Sequence, residues 1–346
     1  MEAVRRDGRG AAGNPKNRFE KLEYVEDPGE ETARRTQFLR DDSQSIITRN
    51  DSPDIGFDAS LNPYRGCEHG CAYCFARPTH EYLGFSAGLD FETKIVVKEN
   101  APELLRAELS SPRWKPRVLA MSTVTDCYQP VERRLEITRR CLEVLADFRN
   151  PVGVITKNHL VTRDTDLLRA LAEHGAASVA ISLTTLDAEL AKRLEPRASP
   201  PGRRLSAIEE LTQAGVPVYA SIAPVIPGLT DHEMPALLEA AARAGAQGAG
   251  YVPLRLPWGV APLFEEWLER HFPDSRDKVL GRVRAMRGGK LNDPRFGSRM
   301  RGEGIFAEQM HALFTVSSRK AGLTREHPEL STAAFRVPGR EQLSLF

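Results

Sequence analysis

Cysteine is scarce in this chain, with five in 346 residues, and aromatic side chains make up only 7%. So few cysteines cannot staple a fold of this length, which excludes a disulfide framework of the secreted kind. No apolar run approaches the roughly 20 residues that a membrane helix needs. The opening Met1-Glu2-Ala3-Val4-Arg5-Arg6-Asp7 has no apolar stretch of the kind a secretory signal carries, so the expected location is the cytoplasm. Net charge is lacking too: 48 Lys and Arg oppose 47 Asp and Glu, a formal +1. On that balance alone neither nucleic acid nor a membrane surface stands out as a partner. The rest, 41% hydrophobic and 27% charged residues, is ordinary for a globular protein with a sizeable core.

Residues 1–45 carry no apolar period and shift from basic to acidic; they are expected to form a disordered extension. From residue 46 to 255 short β-branched runs alternate with amphipathic segments. Strands are expected at 94–98, 117–124, 152–156, 178–183, 216–223 and 250–254. Helices are expected at 101–110, 131–148, 163–174, 203–214 and 232–244, with Gly175, Gly215 and Gly245 marking helix ends. Repeated strand–helix units predict an α/β fold with a parallel sheet and helices outside it. Five to six units fall short of the eight of a full barrel, which leaves a partial barrel or an open sheet. Residues 256–325 read as a helical region, with helices at 260–271, 275–287 and 305–321 around a polar, Gly-rich stretch at 287–304. Residues 326–346 lose periodicity and read as a flexible tail.

The cysteines are unevenly placed. Cys67, Cys71 and Cys74 lie within Asn62-Pro63-Tyr64-Arg65-Gly66-Cys67-Glu68-His69-Gly70-Cys71-Ala72-Tyr73-Cys74-Phe75. Three thiolates at this spacing fit on one tight loop and can converge on one soft metal centre, with Gly66 and Gly70 letting the backbone turn around it. A structural site is normally closed, so three ligands rather than four suggest a position left for a small molecule. Zinc completed by His69 or His80, a cluster closed by Cys127 or Cys141, and an iron–sulfur cluster with one open iron all fit the spacing.

The Cys-x3-Cys-x2-Cys motif, with Tyr73 before the last cysteine and a strand–helix repeat following, resembles the radical S-adenosylmethionine (SAM) superfamily. The resemblance covers about residues 57–255. It implies a partial (β/α)6 barrel and a [4Fe-4S] cluster held by Cys67, Cys71 and Cys74. In that superfamily SAM binds the fourth iron, and one electron cleaves its sulfonium to a 5′-deoxyadenosyl radical that abstracts hydrogen from substrate. An electron donor such as flavodoxin or ferredoxin is then an expected partner. Asn62–Cys67, Ser122-Thr123-Val124-Thr125-Asp126, Thr156-Lys157, Ser182-Leu183-Thr184, Glu195-Pro196-Arg197 and the segment 224–230 are similar to the branch related to spore photoproduct lyase and DNA repair photolyase-like proteins.

The resemblance also implies residue roles. Tyr73 would contact the adenine. Ser122, Thr123 and Asp126 follow a strand and replace the segment near the methionine amine, with Asp126 as acceptor for a cationic group. Lys157 would pair with a carboxylate, Ser182 with a ribose hydroxyl, and Arg197 with the methionine carboxylate. Spore photoproduct lyase has a cysteine in its second-strand segment that returns hydrogen to the product radical. Thr123 stands there in this chain, and Cys127, beyond Asp126, is the candidate hydrogen donor or else a buried small residue.

Gly84-Phe85-Ser86-Ala87-Gly88 matches a nucleophile pattern, but a helix precedes it and a strand follows, the reverse of what that motif needs. It reads as a turn. Residues 276–304 hold nine basic side chains against three acidic ones, and Lys192, Arg193, Arg197, Arg203 and Arg204 form a second cluster. Either could hold a phosphate backbone, which makes nucleic acid an expected partner; the competing reading is a solvated helix face. Gln342, Leu343, Ser344, Leu345 and Phe346 resemble the short peptide by which bacterial replication and repair proteins dock on the polymerase sliding clamp. The expected function is a radical SAM enzyme acting on nucleic acid. The alternatives are one that modifies a protein or metabolite, and a non-catalytic metal-stabilised module on the clamp.

Overall fold

The computed structural model describes residues 8–20, 35–326 and 329–339. Its strands are β1 (Gln37–Arg40), β2 (Ile47–Arg49), β3 (Ala59–Leu61), β4 (Tyr64–Arg65), β5 (Lys94–Val97), β6 (Leu119–Met121), β7 (Val152–Thr156), β8 (Ala177–Ser182), β9 (Val218–Val225) and β10 (Gly248–Pro253). The large sheet runs β10-β9-β8-β7-β6-β3-β2. Its first six strands in that order are mutually parallel, and β2 is antiparallel to β3. A small sheet of order β1-β5-β4 sits beside it.

Each parallel strand leads to a helix: Ala101–Ser110, Ile137–Phe148, Thr165–Ala172, Pro201–Gln213, Met234–Arg243 and Val260–His271. These are the six units of the expected partial barrel. The sheet curls: Cys71, Ala72 and Tyr73, after β3, share one hydrophobic cluster with Ile226 after β9 and with Leu254 and Leu256 after β10. Side chains from the two ends of the parallel run therefore meet over the C-terminal strand edges, where barrel sites are built.

Two expected elements are interrupted. The strand at 117–124 stops at Met121 because Ser122 adopts a left-handed φ of 81°, its hydroxyl accepting from the Cys127 amide and donating to the Thr125 carbonyl. The helix at 131–148 breaks at Glu136, φ 52°. There the buried Glu132 carboxylate accepts from the amides of Thr138 and Arg139 and caps the helix that continues.

The described parts of residues 1–45 are not disordered. Ala11, Ala12 and Asn17 are buried, and β1 pairs with β5. The amides of Gly10 and Ala11 donate to the buried Glu92 carboxylate at 3.0 and 2.8 Å, and the Asn17 amide group donates to the carbonyls of Glu81 and Phe85. The Gly-rich, small-residue composition that reads as disorder is what allows this packing: a Cβ on Gly10 would stand 1.7 Å from the Gly70 carbonyl oxygen. A Gly10→Ala variant is accordingly expected to undock residues 8–17. Tryptic cleavage after Arg9 and Lys16 should then quicken by at least about tenfold, the equivalent of 1.4 kcal/mol of lost docking. Equal cleavage rates in both proteins would refute the docking.

The tail also departs from expectation. Within 329–339, the Ser331 amide donates to the Gly175 carbonyl, the Arg336 amide to the Phe148 carbonyl, and Phe335 packs on Phe148 at 6.1 Å between ring centroids. Residues 342–346, the clamp-like peptide, lie outside the described residues. The C-terminal helices run Val260–His271, Pro273–Met286, Ser298–Arg301 and Ile305–Lys320; Thr324, just beyond the last, accepts from the Ala249 amide of β10. No helix among the described residues is long and apolar enough to cross a membrane.

Candidate cluster and cofactor site

The loop after β3 is held on all sides. Asn62 receives the Thr123 amide on its side-chain oxygen at 2.9 Å and donates to the Thr123 hydroxyl at 3.0 Å, tying the loop's start to the end of β6. The Cys67 amide donates to Phe91 and the Ala72 amide to Leu194. Arg77, fully buried, donates twice to the Cys71 carbonyl and pairs with Glu92, which in turn holds Gly10 and Ala11. Gly70, φ 66°, lies against Glu92 so closely that a Cβ would meet its carboxylate at 2.7 Å.

Cys67 and Cys71 are buried, Cys74 is half-buried, and none is in a disulfide. Burial pushes all three thiols up, and for Cys67 the charges of Asp126, Cys71 and Cys74 add to it. A metal that ligates thiolate supplies the missing positive charge, so this donor set fits iron–sulfur ligation. Among the described residues no three His, Cys, Asp or Glu side chains converge as a single ion requires. A cluster, whose thiolates attach to separate irons, makes no such demand. Of the two histidines weighed as zinc ligands, His69 is engaged at both nitrogens, facing Asp126 through Nδ1 at 3.3 Å and Asn158 through Nε2 at 3.2 Å, while His80 meets the Lys94 carbonyl through Nε2 and keeps a buried Nδ1 without a hydrogen-bond partner.

Asp126 does not stand ready for a cationic ligand. One carboxylate oxygen accepts from the Thr156 hydroxyl and the Tyr128 amide, the other from the Lys157 amide and His69. That fills the four acceptor sites of a carboxylate. Burial raises its pKa, but His69 and the hydrogen bonds from Lys157 and Thr156 outweigh it and hold the group below its ordinary value. Asp126 is a latch joining the cysteine loop, the β6 end and the β7 end. Of its two readings, hydrogen donor or buried small residue, Cys127 fits the second. It is fully buried in the main core with Tyr64, Tyr128 and Cys141, and a hydrogen donor must reach the substrate.

The remaining expected residues gather at the strand ends. Ser182 closes β8 and is buried. Lys157, just past β7, donates to the Ala223 carbonyl at 3.1 Å, and its ammonium stands 3.9 Å from Glu195 and 6.0 Å from the Tyr73 ring centroid. The Tyr73 hydroxyl donates to Glu195 and meets Thr184 at 3.2 Å. Arg197 reaches the loop but pairs with Glu68 at 3.2 Å; Glu68 also accepts from Thr36 and from the Val131 amide.

Two central residues had no role assigned from sequence: Glu195, quoted only as part of a motif, and Arg204, read as one surface cation among five. They form a buried ion pair behind Tyr73, with Arg204 also donating to the carbonyls of Ser182 and Ser199. The partners lie on separate elements, and spacing alone carries no sign of such a pair.

Residues 61–241, more than half of the chain, match the radical SAM superfamily. Uncharacterized proteins of Mycobacterium bovis and Mycobacterium tuberculosis are each 40% identical over 222 residues, 64% of this chain and 65% of theirs. One from Methanocaldococcus jannaschii is 32% identical over 173 residues, 50% of this chain and 62% of that protein. The chain thus spans just under two thirds of the length of the curated relatives it matches. Spore photoproduct lyase complexed with dinucleoside spore photoproduct is similar with a TM-score of 0.58, over 83% of this chain and 80% of that one at 14% identity. A mutant of that lyase with bound AdoMet and dinucleoside spore photoproduct gives 0.56, over 82% and 77% at 15% identity. Identities this low speak for fold alone. The chain belongs to the radical SAM superfamily.

Proposed function

We propose that this chain is a radical SAM enzyme that binds a [4Fe-4S] cluster and SAM and acts on nucleic acid, in DNA repair or modification. The observation that carries the enzyme is the set of three free thiols on one anchored loop, packed over the C-terminal edge of six parallel strands. Cys67, Cys71 and Cys74 would hold the cluster. When bound, cluster and SAM supply reductive cleavage of the sulfonium and hydrogen abstraction from the substrate. The chain's own part is to orient and shield. Arg77, Asn62 and Asp126 fix the loop, while Tyr73, Lys157 and Ser182, at the strand ends, would hold SAM. Residues 8–17 cover one side of the loop and limit water there.

The nucleic-acid substrate is supported by the fold shared with a lyase solved with a dinucleoside photoproduct. Electrons would come from a donor such as flavodoxin or ferredoxin, and Gln342–Phe346 would be the docking peptide for the sliding clamp. The test is anaerobic incubation of the reconstituted protein with SAM, reductant, and ultraviolet-damaged or intact DNA, followed by mass analysis of cofactor and DNA. Expected are 5′-deoxyadenosine and a mass change in the DNA. Equal 5′-deoxyadenosine formation with and without DNA would remove nucleic acid from the proposal; protein that retains no iron would remove the enzyme.

A further inference from the structure

Arg255, just beyond β10, reaches over to the cysteine loop. Its guanidinium carbon lies 5.6 Å from the ring centroid of Phe75, the residue after Cys74. Among the described residues no carboxylate stands within ion-pair distance of Arg255. One terminal nitrogen contacts the Met300 sulfur at 3.1 Å, and Nε is buried without a hydrogen-bond partner.

Two further guanidiniums crowd it. Arg287, 3% exposed, donates only to backbone carbonyls, those of Ser298, Arg299, Pro253 and Leu254. Arg299 is bound to Asp54 and Ser52. Burial first, then the charge of Arg299, lowers the pKa of Arg255; burial and the charge of Arg255 bring Arg287 down to about 10. Asp54 and Asp293 act on Arg255 and Arg287 from a distance and offset the repulsion only in part, and neither is bonded to them, so both guanidiniums stay below their ordinary values and an added anion would relieve them.

The surroundings say which anion. Phe75 and Phe296 are 52% and 62% exposed, so both rings are open to a ligand. Each has a guanidinium over it, Arg255 on Phe75 and Arg299 on Phe296 at 4.5 Å. Exposed aromatic rings under guanidiniums, with a further buried cation close by, are what stacked bases and their phosphates need, and paired bases within a duplex cannot offer their faces to such rings. Most of the other arginines in 276–304 are already neutralised: Arg276, Arg282, Arg284 and Arg295 each pair with a carboxylate.

We propose that Arg255, with Phe75 under its guanidinium and Phe296 under that of nearby Arg299, holds a backbone phosphate of a single-stranded or locally opened nucleic acid whose neighbouring bases stack on the two rings. This rests on the nucleic-acid substrate proposed above and assigns where that substrate is gripped beside the cluster loop. The test is fluorescence anisotropy of full-length, cluster-loaded protein with a labelled oligothymidylate of about 12 nucleotides, across a salt series, with the matched duplex and inorganic phosphate as competitors. Losing one phosphate contact lowers the slope of log affinity against log salt by about 0.7, and losing one stacked base costs about fivefold or more in affinity.

Arg255→Ala is therefore expected to weaken binding by about tenfold and to flatten the salt slope. Arg255→Lys should keep the slope but lose affinity, because ammonium does not stack. Phe296→Leu, an exposed and well tolerated change, should weaken binding about fivefold at an unchanged slope, and it decides the matter if Arg255→Ala fails to fold. Wild-type affinity and slope in both Arg255→Ala and Phe296→Leu would overturn this surface while leaving the nucleic-acid substrate standing. Competition by millimolar phosphate as effective as by the strand would reduce it to a free-anion site and overturn it. A wild type that binds neither strand nor duplex would remove the surface and the proposed substrate together.

Discussion

Replacing Cys71 with alanine is expected to abolish stable cluster binding and to cut SAM cleavage by more than about 100-fold, the upper end of what losing an outer partner of a metal ligand costs. Cys71 makes two separable contributions. Its carbonyl receives Arg77, and its thiol is free. Alanine keeps the first and deletes the second, so the loop stays anchored and ligation alone is lost. With two thiolates left, the cluster has two unprotected irons rather than one, and solvent competes for both. Cys141→Ala is the control: that thiol sits in the core under the helix Ile137–Phe148, in a separate cluster of side chains from Cys71. The measurement is iron and sulfide per chain after anaerobic reconstitution, with 5′-deoxyadenosine as the second readout. Full iron content and unchanged SAM cleavage in Cys71→Ala would defeat the cluster assignment.

Glu195→Ala should destabilise the protein by about 3–5 kcal/mol, because it leaves the almost wholly buried Arg204 without its counter-charge. The Tyr73 and Thr184 hydroxyls lose an acceptor in the same step. Glu195→Leu combined with Arg204→Met should recover at least half of that loss, since a pair removed together leaves no stranded charge. Chemical denaturation of wild type, Glu195→Leu, Arg204→Met and the double variant closes the cycle; a double variant no more stable than Glu195→Leu alone would refute the coupling.

The same carboxyl has a pH signature. Burial pushes it up, but the charges of Arg204 and Lys157 and the hydrogen bonds from Arg204 and Tyr73 outweigh this and hold it at about 2, against an ordinary value of 4.5. A folded pKa below the unfolded one stabilises the protein above the unfolded value, and that stability drains away as pH falls through the folded one. The gap in unfolding free energy between wild type and Glu195→Gln should therefore be full above 4.5 and narrow between there and about 2. A gap that does not change with pH across that window would mean Glu195 is not ionised in the folded protein.

Local pattern carried the elements that local physics controls. The strand Val152–Thr156 and the helices Ala101–Ser110 and Val260–His271 coincide with expectation, because a β-branched run or an amphipathic period is written in consecutive residues. β2, β3 and β4 span three, three and two residues, too short to show a period, and escaped notice. Breaks at Ser122 and Glu136 arise from left-handed backbone that Ser122's own hydroxyl and the Glu132 carboxylate stabilise, a matter of contacts that periodicity does not register. The three-cysteine loop was legible because its chemistry is contiguous. Asp126 was legible as important but not in its role, since its four donors come from positions 69, 128, 156 and 157. Cys127 differs from Asp126 by one position, and one step along a turn is enough to send a side chain into the core.

The docking of residues 8–17 on the cysteine loop has a consequence for the order of assembly. Gly10 is synthesised before its partner Glu92, which follows 82 positions later. Closing so long a loop early carries an entropic penalty that no local contact returns. The anchor for that closure is the Arg77–Glu92 pair, which itself needs the whole segment between them. During synthesis, then, the three thiols emerge before their cover can settle, and an iron carrier meets an open loop in the nascent chain and one covered on one side in the finished protein.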